Sequence, residues 1–98
     1  MSVIVDLSLF PVGKSESVSK DVARAVQLIR ESGLKHRTHA MGTLIEGDLD
    51  GVMVLVRRCF QKMTATGNRV YMTLKADYRE GPVGRLDSKV TSLESKLT

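Results

Sequence analysis

Residues 3–10, "VIVDLSLF", alternate along the chain, with Val3, Val5, Leu7 and Leu9 on one side and Ile4, Asp6, Ser8 and Phe10 on the other. A period of two is that of a β-strand, and here one face is wholly apolar. Pro11 and Gly13 are expected to stop the strand, and the polar "GKSES" to connect onward. The period then changes. Val18, Val22, Val26 and Ile29, with Ala25 between them, form a helical stripe; Ser17 or Ser19 can cap its start, and Gly33 stands where a left-handed residue usually ends a helix.

"LKHRTHA" and "GTLIEG" read as two short strands of a hairpin around Met41-Gly42, with the glycine expected to permit the reversal. Asp48 follows as the N-cap of a second helix. Its predicted apolar stripe is Leu49, Val52, Met53, Val56, Phe60 and Met63, running up to Gly67, with Cys59 beside it as a packing residue. "RVYMTLKAD", residues 69–77, alternates again: Val70, Met72, Leu74 and Ala76 share the apolar side. After the loop "REGPVG", Leu86, Val90, Leu93 and Leu97 give a last helix with a narrow stripe, to be docked on its own domain or on another subunit.

The order is strand, helix, strand, strand, helix, strand, then a terminal helix. This split pattern predicts an α+β, ferredoxin-like βαββαβ sandwich with an extra C-terminal helix, a single domain over residues 1–98. Two helices cover one face of such a sheet. The other face is expected to carry Ile4, Asp6, Ser8, Phe10, Tyr71, Thr73 and Lys75, joined by Leu44 and Glu46 if Ile45 faces the helices. A contiguous apolar surface of this kind marks an association or ligand site, and sheet-to-sheet packing of identical copies would cover it. Glu46 then needs a partner, either a bound polar molecule or Lys75 or an arginine on the same sheet.

Composition narrows the partners. Hydrophobic residues make up 42% and charged residues 27% of the 98, as in ordinary globular proteins. The net charge of +4 raises nucleic acid, but the basic residues are scattered among acids, only Arg57-Arg58 are adjacent, and two Tyr, two Phe and no Trp leave little for base stacking. No nucleic-acid partner is expected. One cysteine fits a reducing, cytoplasmic setting, and no stretch reaches the ~20 apolar residues of a membrane span. Gly13-Lys14-Ser15 is like the tail of a phosphate-binding loop, but the motif's earlier glycine is missing. His36 and His39, three apart on a strand, face opposite sides and would not chelate one ion. With no nucleophile motif or metal-ligand spacing, neither an enzyme nor a resident cofactor is expected.

Three stretches, "LSLFPVG" (7–13), "SVSKDVARAVQLIRESGLK" (17–35) and "HAMGTLIEGDLDGVM" (39–53), closely resemble the small thiamine-binding proteins, a family long described as uncharacterised, whose members bind thiamine or its hydroxymethylpyrimidine half. The resemblance runs from about Val3 to Leu97. It implies a homotetramer of sheet-packed dimers, a thiamine-like small molecule as ligand, and no catalytic step. The pocket it implies lies around the first strand, the start of the first helix and the hairpin, and points to Ser8, Ser19, His39, Thr43 and Glu46. Chemically, Glu46 would meet the thiazolium charge or the pyrimidine, Ser8 and Thr43 would orient the ligand, and Phe10 would supply an aromatic wall. A regulatory or structural homo-oligomer without this ligand is the alternative.

Overall fold

The alternation at the start of the chain becomes strand β1, Ser2–Pro11, at the centre of the fold. The computed structural model describes residues 2–13, 19–65, 69–80 and 84–97. The expected contributions of Ser17 and Val18, the Lys14-Ser15 connector and the Gly67 stop lie outside the described residues. After β1 come helix α1 (Ser19–Glu31), strands β2 (Lys35–His39) and β3 (Gly42–Asp48), helix α2 (Leu49–Thr64), strand β4 (Val70–Arg79) and helix α3 (Arg85–Ser95). The four strands form one antiparallel sheet in the order β2-β3-β1-β4. The α+β, ferredoxin-like order with an added C-terminal helix is therefore present.

The two faces of β1 separate as its pattern requires. Val3, Val5, Leu7 and Leu9 are buried against α1 and α2 together with Ile45 of β3, whereas Ile4, Asp6 and Ser8 are partly exposed and Phe10 is exposed. Pro11 is the last residue of the strand, as expected; it still pairs opposite Val70, and the next residue, Val12, donates its N–H to the Arg69 carbonyl. Gly33 takes a φ of 78° just beyond α1, where a side chain would be strained. Asp48 caps α2, its carboxylate accepting the Gly51 N–H at 2.9 Å.

Two expectations change. The buried stripe of α2 is Val52, Leu55, Val56, Cys59 and Met63, while Met53 and Phe60 are exposed. The stripe is rotated because α2 lies over β1 and β3, so Cys59 is in the core and the Met53–Phe60 side leans toward the sheet edge near Met72. Burial pushes the Cys59 thiol up to about 11, and its sulfur lies 3.7 Å from the Ala25 carbonyl, the setting of a packing residue. The second change concerns Gly42. The reversal is made by Ala40-Met41, and neither has a positive φ. Gly42 is needed for closeness: a Cβ there would stand 2.6 Å from the Leu7 carbonyl oxygen of the neighbouring strand.

The last helix docks on its own domain, across one end of the face that α1 and α2 leave open. Of its apolar stripe only Leu86 is buried; Val90, Leu93 and Leu97 are exposed. Charge, not apolar area, holds it: Asp87 bonds Lys35 and, at 2.6 Å, Arg37 of β2, and Lys89 bonds Asp77 of β4.

Candidate ligand-binding site

β1 is longer than its partner on one side. Its pairing with β3 ends at Leu7 opposite Thr43, whereas its pairing with β4 continues to Pro11. Ser8–Pro11 therefore run on beyond the β2–β3 hairpin with no strand beside them on that side among the described residues. Main-chain groups and side chains of both sheet faces reach the space so created. It is a cavity of about 280 Å³ between the end of β1, α1 and the hairpin tip.

Its walls are mostly aliphatic. Leu7 and Leu9 come from the core side of β1, and Val22, Ala25, Val26 and Ile29 come from one face of α1. Ser8, Thr38, His39 and Thr43 supply the polar groups, and Phe10 an aromatic edge, its ring 5.7 Å from that of Tyr71 directly across on β4. A small number of convergent polar groups in an apolar concavity is the usual composition of a small-molecule site. Among the described residues no carboxylate lines it.

His39 lies on the open-face side of the hairpin, the side of Asp6. Its Nδ1 accepts the Met41 N–H at 3.2 Å, so the proton sits on Nε2, which donates to Asp6 Oδ1 at 2.8 Å. The imidazole is thereby held between the turn and β1, fixing the ring at the cavity rim. His36 points to the other side, with Nδ1 3.0 Å from the Leu34 carbonyl, and the two histidines do not converge.

Of the residues singled out from the sequence, Ser8, Phe10, His39 and Thr43 come together on this cavity. Ser19 begins α1, but its side chain lies outside the described residues. Glu46 does not join them. It is on the face predicted, opposite Ile4, yet it is 3% exposed because the head of α3 covers it, and its Oε2 accepts the Arg85 backbone N–H at 2.7 Å. The N-cap of α3 is Gly84, which has no side chain to offer, so Glu46 takes that role from across the sheet. Its partner is thus an arginine's main chain, not Lys75. The sequence reading missed Thr38 and Met41; Thr38 could have been found, since hairpin register puts it directly opposite Thr43.

Comparison with known proteins agrees with this architecture. The family model described as thiamine-binding protein matches residues 5–94. A UPF0045 protein of Mycobacterium bovis is 39% identical over 98 residues, covering 99% of this chain and 96% of its own. The crystal structure of a hypothetical protein from Methanocaldococcus jannaschii superimposes with a TM-score of 0.86 at 32% identity, over 95% of this chain and 96% of that one. A proposed thiamine biosynthesis or salvage protein of Thermotoga maritima shares the fold, with a TM-score of 0.83 at 22% identity over 95% and 99% of the two chains. With a family model spanning nearly all of the described fold and relatives matched end to end, the chain belongs to the thiamine-binding protein family, UPF0045.

Proposed function

We propose that this protein binds thiamine or its hydroxymethylpyrimidine moiety without transforming it, in the cavity at the hairpin end of the sheet, and works as a cytoplasmic homotetramer whose open sheet faces pack together. The observation that carries this reading is the cavity itself, which gathers Ser8, Phe10, His39 and Thr43 around an aliphatic floor. The thiamine-related description of the family and of the Thermotoga maritima protein supports the ligand class.

The lining chemistry refines the choice between the two halves of the vitamin. An aminopyrimidine offers ring-nitrogen acceptors and an amine donor that hydroxyls and main-chain groups can match, while a thiazolium carries a permanent charge. Burying that charge without a carboxylate or an aromatic cage is costly. The pyrimidine therefore occupies the cavity and the thiazolium, where present, stays toward solvent. Calorimetry with thiamine, hydroxymethylpyrimidine and a thiazole alcohol tests this: the first two bind with similar affinity, the third does not, and Thr43→Val with Ser8→Ala lowers affinity by roughly tenfold or more. Silence with all three ligands from an intact oligomer would leave the structural homo-oligomer as the better reading.

A further inference from the structure

A second polar feature lies at the other end of the sheet, about 25 Å from the cavity at ~3.3 Å per residue along β1. Arg85, Ser88, Lys89, Ser92 and Lys96 lie at i, i+3, i+4, i+7 and i+11, on one stripe of α3 and its C-cap. With Arg79 at the end of β4 they line a groove of about 430 Å³ whose wall, among the described residues, has four cations and no carboxylate.

Arg85 is the unusual member. It is only 9% exposed, and its Nη2 donates to the Ser2 carbonyl and hydroxyl, each at 3.3 Å. Its Nε and Nη1 are buried with no hydrogen-bond partner among the described residues. Asp77 Oδ2 stands 3.9 Å from Nη1, too far for a hydrogen bond, and already accepts from Lys89. Two unmatched donors on a buried guanidinium are expensive; Nε–H and Nη1–H leave different edges of the plane, so each has room for one anion oxygen beside the Nη2 that Ser2 holds.

We infer that this groove is an anion site for the phosphate or pyrophosphate group of a small molecule, with Arg85 at its base, Ser88 and Ser92 as hydroxyl donors, and Arg79, Lys89 and Lys96 as surrounding charge. The stripe from Arg85 to Lys96 spans roughly 16 Å of helix, enough for one phosphorylated molecule. Among the described residues no aromatic ring lines the groove for base stacking, which argues against a nucleic-acid strand.

The test is a titration of the full chain with inorganic pyrophosphate and with inorganic phosphate, followed by NMR at the arginine Nε–H resonances and by calorimetry. A saturable shift of the Arg85 Nε–H signal is expected, weakened about tenfold in Arg79→Ala and again in Lys96→Ala. Both side chains are at the groove's periphery, so the melting temperature should hold, whereas Arg85→Lys also removes the contacts to Ser2. No saturable shift up to about 10 mM of either probe, a weaker affinity than any specific site would show, overturns the proposal. So does binding that the double variant leaves unchanged, or binding of single-stranded RNA without binding of pyrophosphate. The probes contain no heterocycle, so the outcome is independent of whether thiamine binds at the hairpin.

Discussion

Glu46 shows how one carboxylate can do structural work where its sequence context suggests ligand chemistry. It sits under α3 with the Arg85 N–H on its Oε2, and the positive end of the helix faces it. Replacing it by alanine leaves that buried N–H without an acceptor and should cost about 1–3 kcal/mol in urea unfolding. Glu46→Gln keeps an oxygen in place and should lose distinctly less. Neither change should alter pyrimidine affinity, because Glu46 does not line the cavity; a large loss of ligand binding in Glu46→Gln with stability preserved would show that the carboxylate reaches ligand after all.

Among the elements, α3 is the one held mainly by charge. The hydrogen bond from Lys89 keeps Asp77 below its ordinary 3.8, and the hydrogen bond from Lys35, with Arg37 beside it, does the same for Asp87. A carboxylate lowered on folding stabilises the folded form above its unfolded value, and that contribution disappears as pH falls through the lowered one. α3 should therefore stay docked from about pH 7 down to about pH 5, then loosen once the pH drops below the ordinary carboxylate range. Backbone relaxation of α3 amides across that range measures it. Because these pairs are exposed, molar salt at neutral pH should loosen the same helix, while the protection of β1 and α2 stays constant.

For the whole molecule, the question is what covers the open face. α3 shields only the end that carries Ile4 and Glu46; the rest presents Phe10, 37% exposed, and Tyr71, 51% exposed, beside Leu44 and Ser8. Apolar and aromatic side chains on a half-polar face suit a symmetric interface between copies of the chain. Sedimentation at micromolar concentration should give a species of about four times the 10.8 kDa chain mass, and Phe10→Asp should shift it to smaller species while the monomer fold survives. A wild-type monomer under those conditions would remove the sheet-packed tetramer.

Periodicity was enough for the order of elements, the strand faces and the caps at Asp48 and Gly33, because each depends on a few neighbouring residues and on whether hydrophobic positions recur at two or at three to four. The candidate site residues had another source: the family resemblance pointed to Ser8, His39 and Thr43, ligand chemistry added Phe10, and hairpin register and strand length bring the four to one cavity. What it could not contain is anything set by contacts between distant segments: the rotation of α2 that buries Leu55 and Cys59, the close approach of Gly42 to the Leu7 carbonyl, and the landing of α3. That landing joins Glu46 to Arg85, 39 positions away, and turns a supposed ligand contact into a helix cap. Local pattern decided which surfaces need burying; only the folded chain decided which partner buries them.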